Sequence, residues 1–290
     1  YDNIKNKIII SRDQRGIKPL YIKKSKDGMI FSSEIKPIIS YQNQKTKYNE
    51  DVLVRHLAYN FSPGKKTLFK GINKVNPGTI ITFYKNKLKV NNIKLTRKTP
   101  FQNINYKIIK QNLDKHLNLA IKRQTISDAK LGCFLSGGLD SSTIVYYAAK
   151  NLPDIETFCI SGEWENKYSK ESDSLHADIV ANFLNVKINQ VEVTSENFFS
   201  NLPLMIYSLE EPICDPAAIS TYLISKVARD KGIKVLLSGI GGDEAFAGYR
   251  RHMVGRYFSI FSSMPFEIAL KLMKKFNEMT ESSVFSRRLK

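Results

Sequence analysis

Several common features are missing from this sequence, and each absence excludes a class of protein. The 290 residues contain no uninterrupted run of about 18 apolar residues, which a membrane helix would need. The three cysteines, Cys133, Cys159 and Cys214, have no paired spacing for zinc or for a disulfide framework. No glycine-rich segment ends in Gly-Lys-Ser or Gly-Lys-Thr, which excludes a Walker-type phosphate loop. We therefore expect a globular protein of the reducing cytoplasm, not bound to a membrane.

Acidic residues are scarce in the first part of the chain. The whole sequence has 45 Lys and Arg against 27 Asp and Glu, a net charge of +18. Residues 1–126 hold 27 of these basic and 7 of these acidic residues, whereas residues 127–290 hold 18 and 20. The excess is mostly Lys dispersed among Asn and Ile, without a basic stripe interleaved with aromatics. This distribution disfavours a nucleic-acid partner, although the net charge keeps an RNA-modifying enzyme as an alternative.

The most informative stretch is residues 131–147, LGCFLSGGLDSSTIVYY. Its short apolar start predicts a buried parallel strand, and the two glycines allow a ligand to approach the backbone. Ser141 or Ser142 is well suited to cap the helix that follows. A strand ending in glycines at a helix N-terminus suits a polyphosphate, and Asp140 beside phosphates implies an intervening Mg²⁺. The alternative is an ordinary strand-turn-helix in which Ser and Asp serve only as caps.

A second strand leads into glycines at residues 234–249, KVLLSGIGGDEAFAGY. If both strands end at the same edge of a sheet, Asp243 comes near Asp140, and two carboxylates with phosphate oxygens could bind Mg²⁺. Beside the first motif this segment favours ligand binding, with Gly241, Gly242 and Glu244 as candidates for the substrate side. Residues 210–216, EEPICDP, combine three acids with two prolines before a helix, and they fit a rigid helix cap and a functional role equally well. Asp173 could cap a helix or face the ATP site.

The periodicity of the chain changes near residue 130. Residues 1–93 are predicted to be β-rich, residues 94–104 to form a linker, and residues 105–290 to form a second domain that begins with an amphipathic helix at 105–125. Further strands are predicted at 7–11, 20–23, 29–32, 79–84, 88–91, 131–135, 155–161, 187–193 and 234–238. Further helices are predicted at 33–40, 50–60, 142–151, 171–184, 195–209 and 216–231. The alternation after residue 130 indicates an α/β fold, a doubly wound parallel sheet with its ligand site at the C-terminal ends of the strands.

The string Ser-Gly-Gly-Leu-Asp-Ser resembles the PP-loop of the ATP pyrophosphatase superfamily. Together with LEEPICDPAAISTYLISKVAR and KVLLSGIGGDEAFAGYRRH, it resembles the synthetase domain of glutamine-hydrolysing asparagine synthetases. Upstream, SRDQRGIKPLYI, FSSEIKPII and SPGKKTLFKGINKVNPGTIITF resemble the last third of that family's N-terminal glutaminase, a class II domain of the Ntn-hydrolase type. The resemblance covers almost the whole chain, in order.

The resemblance implies a ligase that uses ATP and Mg²⁺. The β-carboxylate of aspartate would attack the α-phosphate of ATP, giving β-aspartyl-AMP and pyrophosphate, and ammonia from glutamine would displace AMP. It implies catalytic and metal-binding roles for Asp140 and Asp243. It also implies ATP or pyrophosphate contacts at Leu135, Ser136, Gly137, Gly138, Asp140, Ser141, Ser142, Ile160, Asp173, Ser238 and Gly239.

Two departures from the family pattern limit what the resemblance implies. Ile240 stands where many members carry Glu, so the acceptor could be another carboxylate, as in similar enzymes encoded with polysaccharide genes. The chain starts at Tyr1, after the position of the family's nucleophilic N-terminal Cys, and stops before its downstream pyrophosphate-binding Lys. We therefore expect a fragment that does not itself hydrolyse glutamine. A non-catalytic interaction protein is a further alternative, and a homodimer is one option for its assembly.

Overall fold

A computed structural model describes most of the chain. The described residues are 1–25, 28–42, 46–85, 87–93, 105–162, 173–213, 215, 217–246, 248–249, 264–265, 267–268 and 271. The predicted linker at 94–104 and the third cysteine, Cys214, lie outside them. Over the described residues, no helix combines the length and the apolar character that crossing a bilayer requires.

Residues 1–93, the N-terminal region, contain two three-stranded antiparallel sheets and two helices. In one sheet, strand β5 lies between β1 and β6; in the other, β2 lies between β3 and β4. The strands are β1 (Lys7–Ser11), β2 (Tyr21–Ser25), β3 (Gly28–Ser32), β4 (Ile72–Lys74), β5 (Thr79–Tyr84) and β6 (Lys87–Asn92). The helices are α1 (Ile35–Gln42) and α2 (Glu50–Tyr59). The predicted β-rich character of this region is confirmed.

Local hydrogen bonds and a small apolar cluster hold the N-terminal region together. The carboxylate of Asp13 accepts hydrogen bonds from the backbone N–H groups of Arg15, Ile17 and Lys18, which closes the turn after β1. Ile35 and Ile38 of α1 are fully buried against Ile72 of β4. This packing fixes the start of α1 relative to the β2 sheet.

Residues 105–249, the C-terminal region, are built on a four-stranded parallel sheet of order β10-β7-β8-β9. Its strands are β7 (Leu131–Phe134), β8 (Glu156–Gly162), β9 (Lys187–Val193) and β10 (Val235–Leu237). Its helices are α3 (Tyr106–Gln124), α4 (Leu139–Asn151), α5 (Asp173–Leu184), α6 (Ser195–Leu209), α7 (Ala217–Asp230) and α8 (Gly242–Phe246). Each parallel pair is linked by a helical crossover, as the alternating pattern predicted.

Successive side chains of the sheet enter two different cores. Cys133 of β7 and Cys159 of β8 pack in one cluster with residues of α4 and α5. Phe158 of β8 and the partly buried Phe134 of β7 pack in another with residues of α6 and α7. Helices therefore cover both faces, which confirms the doubly wound parallel sheet. Because the chain moves from β7 to β8 and later returns to the opposite side of β7 as β10, the C-terminal ends of β7 and β10 lie side by side.

The start of α4 differs from its prediction. The helix begins at Leu139, not at residue 142, and its N-cap is Gly138 without any capping side chain. The prediction that Ser141 or Ser142 is the cap is wrong, since both lie inside the helix. Two short elements, β4 and α8, had no periodic signal and were not predicted. Most other boundaries agree within two residues, as expected of element ends.

Candidate active site

A cavity of about 310 Å³ opens at the C-terminal ends of β7 and β8. Its walls come from the two strand ends, the first residue of α5 and one face of α7. The lining residues are Phe134, Leu135, Ser136, Phe158, Cys159, Ile160, Asp173, Ser220 and Ile224. Four of the predicted site residues, Leu135, Ser136, Ile160 and Asp173, thus meet at one cavity.

The turn between β7 and α4 requires glycine. Gly137 has a φ of +73°, and a Cβ on it would lie 2.7 Å from the backbone nitrogen of Ala177 in α5. Gly138 follows in extended conformation as the uncapped N-cap of α4. The first-turn N–H groups of α4 therefore have no side-chain cap and point out of the start of the helix beside the cavity. This is the arrangement that suits a phosphate group.

Ser141 braces this turn from inside the helix. Its Oγ donates to the carbonyl of Gly138 at 3.1 Å, accepts the N–H of Ser136 at 3.2 Å and lies 3.0 Å from the Oγ of Ser136. These bonds hold Ser136 at the edge of the cavity. Ser142 differs, since its Oγ is buried without a hydrogen-bond partner among the described residues.

The glycines after β10 pack directly against the start of α4. A Cβ on Gly239 would lie 2.8 Å from the backbone nitrogen of Ser141, and one on Gly242 would overlap the carboxylate of Asp140. The structure thus brings Asp140 against the residue that precedes Asp243. The carboxylate of Asp243 lies against Gly248, whose N–H donates to the Asp243 carbonyl at 3.1 Å. Absence of side chains at two positions allows the two strand ends to touch.

The remaining candidates after β10 lie farther out. The Oγ of Ser238 accepts the N–H of Ile240 at 3.1 Å, and Ile240 itself is 93% exposed. Gly241 has a φ of +98° and nothing around its Cβ position, while Glu244 accepts a hydrogen bond from the hydroxyl of Tyr249. None of these four residues lines the cavity at the ends of β7 and β8. They extend the site toward solvent on the β10 side.

Two family models match this chain. Residues 1–94 match the glutamine amidotransferase domain, and residues 112–288, more than half of the chain, match asparagine synthase. The chain belongs to the asparagine synthase family. Its relatives include asparagine synthetase [glutamine-hydrolyzing] 1 of Bacillus subtilis (strain 168), with 32% identity over 82% of this chain and 37% of that relative. They also include the putative asparagine synthetase [glutamine-hydrolyzing] 2 of Methanocaldococcus jannaschii, with 30% identity over 91% of this chain and 51% of that relative.

This member of the asparagine synthase family spans about a third to a half of the length of these curated relatives. Solved structures are more distant. The glutamine-dependent NAD⁺ synthetase of Acinetobacter baumannii, in complex with ADP, aligns at a TM-score of 0.35 and 13% identity over 78% of this chain and 51% of that chain. The family assignment rests on the sequence matches.

Sequence reasoning missed five cavity residues of this family member. Three are apolar or weakly polar strand residues, and two, Ser220 and Ile224, lie one turn apart on the same face of α7. The spacing of Ser220 and Ile224 puts them on one face of α7. Which strand ends that face covers depends on where α7 crosses the sheet, and the sequence does not show this. The signal available in the sequence was the apolar character of the strand ends themselves.

Three aspartates, Asp140, Asp173 and Asp243, lie at or near this edge of the sheet. Within the described ranges, neither Asp140, Asp173 nor Asp243 forms an ion pair, and no group of three or more His, Cys, Asp or Glu side chains could by itself enclose a metal ion. Burial raises the pKa of the nearby Cys133 thiol to about 12, so it is not a thiolate nucleophile at neutral pH. The site therefore combines carboxylates with the uncapped start of α4, and Cys133 does not supply a nucleophile to it.

Proposed function

We propose that this chain is the ATP-using part of a glutamine-dependent ligase that converts a carboxylate to an amide, with aspartate as the acceptor and asparagine as the product. The observation that carries the proposal is the contact between the two glycine-rich strand ends, which sets Asp140 against Gly242 beside an uncapped helix start. The family match and the names of the relatives support the same chemistry.

Different parts of the site would bind different parts of ATP. Ser136 and the N–H groups at the start of α4 would hold the pyrophosphate, while the apolar cavity wall formed by Leu135 and Ile160 would take the adenosine. The acceptor carboxylate would attack the α-phosphorus in line with the departing pyrophosphate, giving β-aspartyl-AMP, and ammonia would displace AMP. Positioning and electrostatic stabilisation of the departing pyrophosphate would supply the rate.

The donor set fits Mg²⁺. This ion takes one or two protein carboxylates and completes its shell with water and phosphate oxygens, so it does not need a protein cage of three or more ligands. Asp140, at the strand contact, and Asp243, one residue beyond Gly242, would provide those carboxylates. Bound there, Mg²⁺ would neutralise charge on the departing pyrophosphate.

The test is exchange of labelled pyrophosphate into ATP by the full-length protein with aspartate present. We expect aspartate-dependent exchange in the wild type and a loss of about 100-fold or more in Asp140→Asn. The matched control is Asp154→Asn, an exposed aspartate just before β8 at the opposite edge of the sheet. Exchange that persists in Asp140→Asn would refute the assigned role of Asp140.

The exposed side chain of Ile240 favours a second candidate acceptor. An apolar residue that is 93% exposed at the solvent side of the β10 turn cannot provide the carboxylate that many family members carry there. The acceptor would then be another carboxylate, such as one on a saccharide. A panel of carboxylates in the same exchange assay decides between the two: exchange that depends on a uronic acid and not on aspartate selects the second candidate.

A further inference from the structure

The acidic pair Glu210-Glu211 joins the two regions of the chain. It lies in the loop between α6 and α7, and both side chains contact residues of the N-terminal region. The sequence had left this pair open between a helix cap and a functional role. In the structure Glu210 is a cap, but of helix α1, whose residue Ile35 lies 175 residues earlier in the chain.

Glu210 caps helix α1. Its Oε2 accepts the N–H of Ile35 at 2.7 Å and its Oε1 accepts the N–H of Lys36 at 2.8 Å. The Nζ of Lys36 lies 3.3 Å from the same Oε1 and also donates to the carbonyl of Tyr207 at the end of α6. The Glu210 side chain is only 8% exposed. A carboxylate with two backbone donors at a positive helix end is a strong, geometrically defined contact.

Glu211 makes the second contact, to Lys74 of β4 and to Leu68, which precedes that strand. Its Oε1 accepts the N–H of Leu68 at 2.7 Å, and its Oε2 lies 2.9 Å from the Nζ of Lys74. This side chain is 12% exposed. The pKa of Tyr21 on β2 is raised first by burial and then by the charges of both glutamates, which agrees with their closeness to the β2 sheet.

An unusual backbone turn allows both carboxylates to reach the same region. In an extended segment consecutive side chains point to opposite sides. Glu210 instead has a φ of +63°, and the N–H of Glu211 donates to the carbonyl of Leu209 at 2.7 Å, which makes a tight turn centred on Glu210. This conformation is costly for a residue other than glycine, so the contacts to α1 and Leu68 must hold it in place.

The same loop leads into a wall of the cavity. Helix α7 begins at Ala217, a few residues after Glu211, and its first two turns carry Ser220 and Ile224, which line the cavity. The contact between the two regions thus lies only a few residues along the chain from a wall of the cavity.

We infer that Glu210 and Glu211 are positioning residues that lock the amidotransferase region onto the synthetase region and thereby keep ammonia transfer coupled to the cavity. The inference rests on the proposed function, in which ammonia made by one region is consumed by the other. Neutral ammonia that leaves a separated interface would be lost to solvent, so a looser contact would waste glutamine. Neither glutamate touches the cavity, so neither is a catalytic residue.

The first test is hydrogen exchange on the full-length protein, which needs no activity. In Glu210→Gln the amide group would face the N–H groups of Ile35 and Lys36, and we expect at least tenfold faster exchange in the peptide that contains them. In Glu211→Gln we expect the same at Leu68. The control is Glu196→Gln, an exposed glutamate in the first turn of α6. Unchanged protection in both variants would overturn the inference, whether or not the protein is a ligase.

The second test measures coupling in the same variants. We expect amide formation from added ammonia to stay within about twofold of wild type, while glutamine consumed per amide formed rises at least threefold. If these variants are poorly folded, Lys74→Met leaves both glutamates in place and removes only the contacts of the Lys74 Nζ, which are the ion pair with Glu211 and a hydrogen bond to the Ser62 carbonyl. It should shift the ratio in the same direction by less. A wild-type ratio in all variants would overturn the inference. If the wild type forms no amide from ammonia, the proposed function is rejected. The hydrogen-exchange experiment would still decide whether Glu210 and Glu211 hold the two regions together.

Discussion

The two edges of the parallel sheet treat carboxylates in opposite ways. At the N-terminal edge, Glu156 opens β8 with a side chain only 10% exposed, and Lys130, Lys187 and Lys231 all lie within 4.0 Å of its carboxylate. Asn189 donates to it as well. At the C-terminal edge, Asp140 and Asp243 sit among glycines without an ion pair among the described residues.

The difference separates stability from binding. A carboxylate whose charge is balanced inside the protein stabilises the fold and has nothing left to offer a ligand. A carboxylate beside open backbone N–H groups keeps its charge for a cation or a substrate. The same residue type is therefore held in ion pairs at one edge and, under the proposed function, is left to bind a ligand at the other.

A substitution at Gly242 gives the largest expected effect on the comparison. It should reduce activity at the C-terminal edge of the sheet without lowering the stability of the fold. In Gly242→Ala the new methyl group would overlap the carboxylate of Asp140 and displace it. We expect pyrophosphate exchange to fall about 100-fold, since a shift of about 1 Å in a reacting group has that effect. Urea unfolding should change by less than about 1 kcal/mol, because α8 is short and lies at the surface. A loss of stability comparable with the loss of exchange would show that this edge is structural too.

Glu156 gives the next effect, at the other edge. In Glu156→Gln, three lysines lose their common partner, and we expect the free energy of unfolding at pH 7 to fall by about 2–3 kcal/mol. Pyrophosphate exchange per folded molecule should stay unchanged. The matched control is Glu192→Gln, an exposed residue of β9 in the same sheet, with an expected change below about 0.5 kcal/mol. Equal effects of the two substitutions would remove the distinction between the edges.

The pH dependence of stability isolates the charge of Glu156. The hydrogen bond from Lys130, followed by that from Asn189 and the charges of Lys130 and Lys187, lowers the pKa of Glu156 from 4.5 to about 2 against the opposing effect of burial. Because the folded pKa is depressed, its contribution is present above pH 4.5 and is lost as the pH falls toward 2. We expect wild-type stability to lose on the order of 2 kcal/mol from this group across that interval.

Urea unfolding at several pH values between 6 and 2 measures this loss. The difference between wild type and Glu156→Gln should shrink steadily over the same interval, because the protonated glutamate and the glutamine are both neutral. A difference that stays constant with pH would assign the effect to packing instead of charge.

The three lysines give the smallest effects, and they should differ from one another. The Nζ of Lys130 lies 2.7 Å from the Glu156 carboxylate, whereas that of Lys231 lies at 4.0 Å. We expect Lys130→Met to cost about 1 kcal/mol and Lys231→Met less than about 0.5 kcal/mol in urea unfolding. The reverse order would mean that distance to the carboxylate does not control the stabilisation.

Strands and helices with a strong local pattern could be predicted from the sequence. The bounds predicted for β1, β5, β9 and α6 agree with the structure because each segment has an apolar run or face between clear turn residues. The start of α4 could not be predicted, because Ser141 has the chemistry of a cap yet bonds back to Ser136 and Gly138. A cap is defined by backbone conformation as well as by residue type.

The part of the site that lies within one local motif could be predicted from the sequence. Residues that share a motif, such as Leu135 and Ser136, are neighbours in any fold, whereas the contributions of Ser220 and Ile224 depend on which face of the sheet α7 crosses. The backbone N–H groups that bind Glu210 and Glu211 lie more than 140 residues earlier in the chain. A single sequence carries no local signal for contacts of that separation. The assignments of Asp140 and Asp243 to the metal stay predictions.

Helix α4 lacks a side-chain cap, so a ligand bound at its start can supply the stabilisation that a cap would give. Serine in place of Gly138 would give the helix a side-chain acceptor and gain only a few tenths of a kcal/mol. The serine side chain would also accept a hydrogen bond from one of the first-turn N–H groups of α4, and that group could then not donate to a ligand. Under the proposed function, an anion at the start of α4 takes the place of the missing cap, so substrate binding also stabilises this turn.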